Sequence, residues 1–300
     1  MKRLVIYLAV TFGLSWGVLI PAGFALGTFE NGEASSVAMV ALIALSMFFP
    51  LVGALVANFA CSPEERIDLC WRPRIRQSVP QYLVAWFLPT AITLVGGALF
   101  FAMNPQWFDP TMSTFIETTA ATAGVSAEQL ASQMPPVPVL VSTVAAAAIL
   151  VAPFINMIPA FGEELGWRGM LFPTLTELTS ERTAALASGV IWGLWHAPVI
   201  AMGHNYGMGY AGFPFTGILT MILLCTAMGC WLAYLRARSQ SVWPCALAHG
   251  AFNAIGNIGL YFCIAGQTLF GPTPLGLVAG IPLLVVGAIC WMRLSGRRVR

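Results

Sequence analysis

The sequence predicts an all-α membrane protein: a polytopic helical bundle with about eight transmembrane helices and both termini in the cytoplasm. Of its 300 residues, 58% are hydrophobic and only 9% are charged, whereas about 25% of the residues of an ordinary soluble domain are charged. Several apolar runs reach roughly twenty residues, the length that a helix needs to cross a bilayer. Lipid satisfies no backbone hydrogen bonds and the alternating pattern of a membrane β-barrel is absent, so these runs must be helices. We therefore expect a single integral domain over 1–300, located in the cell membrane.

Eight apolar runs account for these helices. The first begins directly after Lys2 and Arg3; it is too long for a signal peptide and lacks a convincing cleavage site, so we interpret it as a membrane helix. The second and third flank a segment that contains four arginines, and a loop rich in proline and threonine over 104–136 follows the third. The predicted spans are 4–26, 37–60, 80–103, 137–161 with a continuation to about 175, 183–203, 212–235, 242–264 and 275–294.

The second half of the chain contains the other five runs. The fourth includes Pro153, Pro159 and Pro173, and each of them favours a break because proline donates no backbone hydrogen bond. Charged residues around Arg182 separate the fourth run from the fifth, and two arginines end the sixth. An uncharged outer segment joins the seventh run to the eighth, which ends at a cluster of arginines.

The basic residues predict the orientation, because the cytoplasmic segments of membrane proteins collect lysine and arginine. With the N-terminus inside, the inner side carries all of them: Lys2, Arg3, Arg66, Arg72, Arg74, Arg76, Arg168, Arg182, Arg236, Arg238, Arg293, Arg297, Arg298 and Arg300. The outer loops contain no Lys or Arg, and their charged residues are all acidic: Glu30, Glu33, Asp109, Glu117 and Glu128. Adding or removing one span would destroy this segregation, so the number of spans and the orientation support each other. The net charge of +2 gives no indication of nucleic-acid binding.

Five charged or imidazole side chains and one amide, Asn253, stand out among the polar groups of these apolar runs, where an ionisable group costs about 2.5–3.5 kcal/mol on insertion scales. Such groups are by default predicted to be functional. They belong to three motifs: Glu163-Glu164-Leu-Gly-Trp-Arg168, Trp192-Gly-Leu-Trp-His196 and His249-Gly-Ala-Phe-Asn253. The candidate catalytic residues are Glu163, His196, His249, Asn253, Glu164 and Arg168.

The helical rise places three of these side chains at a similar depth. Glu163 and His196 each lie fourteen residues from the charged turn over 177–182, which corresponds to about 21 Å at 1.5 Å per residue. His249 lies eleven residues beyond Arg238, or about 16 Å. Three separate helices are thus expected to bring a carboxylate and two imidazoles together.

The spacing within the motifs separates their roles. Residues i and i+4 share a helix face, so Glu164 and Arg168 are expected to form an ion pair, whereas Glu163 points about 100° away and is left free as a general base. His249 and Asn253 also share a face, and their imidazole and amide suit the stabilisation of an oxyanion. A purely structural interpretation stays open, since ion-paired helix faces and interhelical histidine hydrogen bonds are common. The conjunction of these groups on three helices favours a site.

In this order, the three motifs resemble those of the CPBP intramembrane proteases, the family that includes the eukaryotic CAAX prenyl endopeptidases and bacterial Abi-type proteins. The resemblance covers a catalytic core of about 140–260. The family's second motif usually begins with phenylalanine, and this chain has Trp192 there. An aromatic residue is therefore kept at this position.

The resemblance implies a role for each residue. Glu163 and His196 would activate a water that attacks the scissile carbonyl, while His249 and Asn253 would stabilise the oxyanion, with Glu164 and Arg168 as the supporting ion pair. No cofactor and no bound metal are implied. The alternative is one zinc ion held by Glu163, His196 and His249, because one carboxylate and two imidazoles can form a zinc site.

The implied substrate is a peptide or a membrane protein, with or without a lipid group, in a protein surrounded by membrane lipids. The arginine-rich inner side predicts access from the cytoplasm. Two other classes of protein stay open. The first is a non-catalytic scaffold or immunity protein with the same fold; the intact motifs argue against it, although motifs alone do not demonstrate turnover. The second is a transporter, which would place ionisable groups in both halves of the chain. They cluster in the second half here, which disfavours a transporter.

Overall fold

The computed structural model describes residues 1–32, 36–264 and 268–297, and most of them are helical. The α-helices are α1 (Lys2–Ala25), α2 (Thr28–Asn31), α3 (Val37–Ser46), α4 (Phe49–Phe59), α5 (Val79–Met103), α6 (Ser113–Ala123), α7 (Ala127–Gln133), α8 (Val137–Leu150), α9 (Ala152–Glu164), α10 (Phe172–Leu178), α11 (Glu181–Trp195), α12 (Ala197–Ala201), α13 (Phe215–Ser239), α14 (Trp243–Ile255) and α15 (Ile281–Arg293). A π-helical segment, Leu165–Leu171, joins α9 to α10. The described residues form no β-strand, and the predicted all-α fold class is confirmed.

The described helices agree with a membrane protein, but they do not match the predicted spans one by one. By length and apolar composition, four segments of the described part of the chain are able to cross a membrane: Lys2–Ala25, Val37–Phe59, Val79–Met103 and Phe215–Ser239. A fifth arises if α7 and α8, which are bent by 71° relative to each other, are counted together. The remaining predicted spans consist of shorter helices. The number of eight spans and the cytoplasmic position of the termini therefore stay predictions.

Proline explains where several predicted spans are broken. A proline is the second residue of several described helices that begin well inside a predicted span, among them Pro50 of α4, Pro153 of α9, Pro173 of α10 and Pro198 of α12. At this position the missing N–H costs nothing, because the first amides of a helix have no intrahelical acceptor. The break expected at Pro159 does not occur, and this residue lies inside α9.

Helix α14 packs closely against α9, with α5 and α8 as further neighbours, and α11 packs along α13. Glycine makes both contacts close. A Cβ on Gly250 would lie 2.5 Å from the backbone nitrogen of Met157 in α9, and one on Gly189 would lie 2.5 Å from the Cα of Thr226 in α13. Small residues at such crossings let two backbones approach, as is typical of helices in membranes. The three motif-bearing segments are thereby held next to each other.

Polar contacts join the helix ends on the side that the sequence predicts to be cytoplasmic. Arg3 in α1 forms an ion pair with Glu177 at 2.6 Å and donates to the carbonyl of Glu65, also at 2.6 Å. Arg182 at the start of α11 donates to the carbonyl of Leu294 at 3.0 Å. These contacts connect α1 to α10, and the segment after α15 to α11.

Candidate active site

Glu163 lies near the end of α9 and is 2% exposed. Its Oε2 accepts two hydrogen bonds from indole nitrogens, one from Trp167 at 3.1 Å and one from Trp192 at 2.7 Å. As the helix geometry predicts, Glu163 is left out of the ion pair that Arg168 forms with Glu164. It nevertheless has two partners, because Trp167 lies one turn further along and Trp192 comes from α11. Both donors are neutral, so they hold the carboxylate in place without cancelling its charge.

Glu164 is fully buried and accepts two hydrogen bonds at Oε1. The expected ion pair with Arg168 is present, with 2.9 Å between Oε1 and Nη1. The second donor is His249, whose Nδ1 lies 3.0 Å from the same oxygen. The guanidinium of Arg168 also lies over the ring of Trp192, 4.4 Å from its centroid. Glu164 therefore joins the first motif to the third, and Arg168 joins the first to the second.

This contact determines how the imidazole of His249 is oriented. Because Nδ1 faces a carboxylate, Nδ1 carries the hydrogen, and Nε2 is the nitrogen left for other partners. The ring packs edge-on against Trp192, with 5.3 Å between centroids. Carboxylate on one side and indole on the other thus restrict the rotation of His249.

His196 lies at the junction between α11 and α12, and the break between these helices orients its ring. In an unbroken helix the carbonyl of Trp192 would accept from the amide of His196, but that amide bonds to Gly193 instead, at 3.2 Å. The ring nitrogen Nδ1 of His196 takes its place, 2.9 Å from the carbonyl of Trp192. A carbonyl only accepts, so Nδ1 carries the hydrogen and Nε2 of the neutral ring is a proton acceptor.

The four predicted reactive residues line one cavity of about 400 Å³. Glu163 and His249 are buried, His196 is half-buried, and Asn253, one turn after His249 on α14, is exposed. The volume lies within the range of about 300–1,000 Å³ that is usual for ligand sites. Glu164 and Arg168 lie behind the wall and do not line it.

The described residues contain no group of three His, Cys, Asp or Glu side chains placed to hold a metal ion. The alternative zinc set of Glu163, His196 and His249 is therefore not assembled in this part of the chain.

Sequence reasoning missed two parts of this arrangement. The indole of Trp167 could have been found, because it lies at i+4 from Glu163, just as Arg168 lies at i+4 from Glu164. The bond between Glu164 and His249 had no such signal, because the two residues are 85 positions apart.

The motif-bearing segment also matches known proteins. Residues 144–255 match the family model described as Rce1-like type II CAAX prenyl endopeptidase, and this range contains all three motifs. A curated relative, CAAX prenyl protease 2 of Methanococcus maripaludis, is 40% identical over 53 residues. This segment of the chain is therefore similar to the CPBP family of proteases. The alignment with this relative covers 18% of the chain and about a fifth, 20%, of the relative's own length.

Part of the support for the site lies outside the matched segment 144–255. Helix α1 contacts the end of α11 through two hydrogen bonds: Trp195 Nε1 donates to Ser15 Oγ at 2.7 Å, and Trp16 Nε1 donates to the carbonyl of Trp195 at 3.1 Å. The ring of Trp195 packs edge-on against His196, with 4.9 Å between centroids. The N-terminal helix thus fixes the residue next to one of the candidate catalytic histidines.

Proposed function

We propose that this chain is an intramembrane endopeptidase of the CPBP type, which hydrolyses a peptide bond with a water activated by Glu163 and His196. The observation that carries the proposal is the position of Glu163, His196, His249 and Asn253 on the wall of one cavity. The match to the endopeptidase family model and the similarity to a CAAX prenyl protease favour the same class of reaction.

Glu163 is the proposed general base. Both indole donors bind Oε2, so Oε1 is the oxygen that accepts a proton from water. The water oxygen then attacks the carbonyl carbon, and the proton passes to the leaving amine when the carbon–nitrogen bond breaks. His196, with its hydrogen on Nδ1, offers Nε2 as a second acceptor that orients the same water.

The oxyanion is proposed to be stabilised by the Nε2–H of a protonated His249 and by the amide of Asn253. With both ring nitrogens protonated, His249 and Arg168 carry two positive charges against the two negative charges of Glu163 and Glu164. The buried group is then neutral overall, which limits the cost of keeping it out of water. Glu164 contributes by holding His249 through Nδ1 at 3.0 Å. No step in this reaction requires a bound metal.

The proposed substrate is a peptide or membrane protein, and the protein acts within the cell membrane among its lipids. The peptides released by the protein will show whether its substrates carry a prenyl or other lipid group. A non-catalytic scaffold or immunity protein is the competing function, and it predicts that the chemistry of Glu163 is irrelevant.

The test is the variant Glu163→Gln. An amide cannot accept the proton, so cleavage should fall roughly 10²–10⁴-fold, the usual contribution of a general base. The matched control is Glu117→Gln, which removes an exposed carboxylate in the outer loop. Mass spectrometry of membrane peptides from cells that express each variant gives the readout, with protein level and thermal stability measured in parallel. An unchanged peptide profile for a folded Glu163→Gln protein would exclude the peptidase.

A further inference from the structure

Helix α1 holds the last residue of α11 at two points. Ser15 is fully buried, and its Oγ accepts the indole N–H of Trp195 at 2.7 Å. The carbonyl of Trp195 belongs to the last turn of α11, where carbonyls have no intrahelical donor. The indole of Trp16 donates to this carbonyl at 3.1 Å. The side chain and the backbone of Trp195 are therefore both bonded to α1, directly before His196.

The ring of Trp195 also contacts the surroundings of both residues that are proposed to activate water. It packs edge-on against the imidazole of His196, with 4.9 Å between centroids. It also packs against the ring of Trp167, with 5.9 Å between centroids. The indole nitrogen of Trp167 in turn donates to Oε2 of Glu163 at 3.1 Å. Because aromatic pairs have a preferred geometry, the orientation of Trp195 restricts both of its neighbours.

A further contact from α1 completes the same aromatic group. The ring of Tyr7 packs edge-on against Trp167, with 5.8 Å between centroids. Tyr7 and Ser15 belong to one row of buried residues that recur at every fourth position of α1. The side chains of Tyr7, Trp167 and Trp195 are at most 4% exposed. In so closely packed a group, a shift of one ring is passed on to the next.

Resting on the proposed peptidase function, we propose that Ser15 is a positioning residue of the reaction. Through its hydrogen bond to Trp195, it holds the imidazole of His196 in the orientation that leaves Nε2 for the attacking water. Nδ1 of this ring then stays 2.9 Å from the carbonyl of Trp192. Ser15 touches no reacting atom and acts only through the indole of Trp195. It lies outside the matched segment 144–255, so the three motifs do not supply this contact.

The first experiment observes the imidazole itself and requires no catalysis. The full-length protein is labelled at its histidine rings and studied by nitrogen NMR in liposomes. The chain has three histidines, and loss of one signal in His196→Gln assigns that of His196. We expect the wild type to show only the Nδ1–H tautomer of His196, and Ser15→Ala to show the Nε2–H tautomer as well.

The matched control is Ser239→Ala at the end of α13. Ser239 is also a buried serine, and its Oγ donates to the carbonyl of Ser241 at 2.9 Å. Neither residue lines the cavity. The control therefore removes one buried hydroxyl and its hydrogen bond, as Ser15→Ala does, and should leave the signals of His196 unchanged.

The second experiment measures kcat and KM for a synthetic peptide that spans the cleavage site of the most abundant Glu163-dependent product. Ser15→Ala should lower kcat roughly tenfold, within the 10²-fold that a misplacement of about 1 Å can cost. KM should change less than about twofold, because the interaction serves the transition state and not substrate binding. Trp195→Phe removes the same hydrogen bond and should lower kcat to a similar extent. Ser15→Ala/Trp195→Phe should lower it no further, since both act through one bond.

The outcomes separate this proposal from the peptidase function. Unchanged signals of His196 in a folded Ser15→Ala protein would overturn the positioning role, and so would additive losses of kcat in the double variant. An equal loss of kcat in Ser239→Ala would show that the hydroxyl of Ser15 only stabilises the fold. If Ser15→Ala does not fold, Trp195→Phe decides the question with the same two readouts. If no peptide depends on Glu163, the peptidase function fails, and the ring signals alone decide whether Ser15 orients His196.

Discussion

The buried ion pair between Glu164 and Arg168 allows a quantitative test of how the site is built. The two side chains are 0% and 1% exposed, and the charged atoms are 2.9 Å apart. Removing one member of such a pair leaves an uncompensated charge and costs about 3–5 kcal/mol. For Arg168→Met we expect the lower end, about 3 kcal/mol, because His249 remains 3.0 Å from the carboxylate. The double variant Glu164→Gln/Arg168→Met removes both charges, so its loss should be smaller than the sum of the two single losses by about 2 kcal/mol.

The assay is thermal unfolding in detergent, followed with a thiol-reactive fluorophore. All seven cysteines are buried, so the signal reports their exposure on unfolding. A loss of about 3 kcal/mol should lower Tm by roughly 6–12 °C, taking about 2–4 °C per kcal/mol for a chain of this order of size. The control Arg238→Met removes an exposed arginine at the end of α13 and should change Tm little. Additive losses in the double variant, or an unchanged Tm for Arg168→Met, would contradict a coupled buried pair.

Three further outcomes are expected from other parts of the molecule. Trp167→Phe and Trp192→Phe each leave one indole donor to Glu163, so cleavage should change little in either single variant. The double variant leaves a buried acceptor unsatisfied, at a cost of about 1–3 kcal/mol. It should lower the rate of cleavage about tenfold or more, measured as kcat. Gly250→Ala places a Cβ 2.5 Å from the backbone of α9 and should destabilise the fold by about 1–3 kcal/mol. In the control Gly13→Ala the added Cβ meets nothing within 4 Å, so the stability should not fall. The Tm values of the two variants in thermal unfolding test this difference. Partial desolvation raises the pKa of Asp109, but hydrogen bonds from neighbouring hydroxyls and amides outweigh this and hold the pKa well below its usual range. The contribution of Asp109 to stability is therefore complete above about pH 4 and is lost only as the pH falls further. The difference in unfolding free energy between wild type and Asp109→Asn should stay constant above that pH and shrink below it.

Local spacing determined how much of the site could be read from the sequence. The Glu164 and Arg168 pair follows from one helical turn, and the resemblance to the CPBP family rests on three short motifs, each confined to one or two turns. The bond between Glu164 and His249 depends instead on how closely α14 approaches α9, and that distance is allowed by Gly250. A glycine in an apolar run does not reveal which helix it will meet. Polar groups in apolar runs and their local spacing therefore predicted the candidate residues, but not the contact that connects the first motif to the third.

The helix boundaries show a second limit of the same kind. Hydrophobic runs predict how much chain can lie in a membrane, but a run such as 183–203 is not one helix, because Pro198 starts a new one. The π-helical segment 165–171 lacks any comparable sequence signal, although it carries Trp167 and Arg168. Hydropathy therefore predicted the class of the fold correctly and its individual elements less well.

The break before Pro198 has a chemical consequence. It frees the carbonyl of Trp192 from the helical ladder, and the imidazole of His196 occupies that carbonyl with Nδ1 at 2.9 Å. Irregular backbone is tolerated at membrane depth only where protein or a cavity surrounds it, and the cavity wall is such a place. Since Nδ1 is committed to the carbonyl, the neutral ring must present Nε2 as its acceptor, which is the form that a water-orienting base requires. The break between α11 and α12 therefore holds His196 in the tautomer on which the proposed hydrolysis depends.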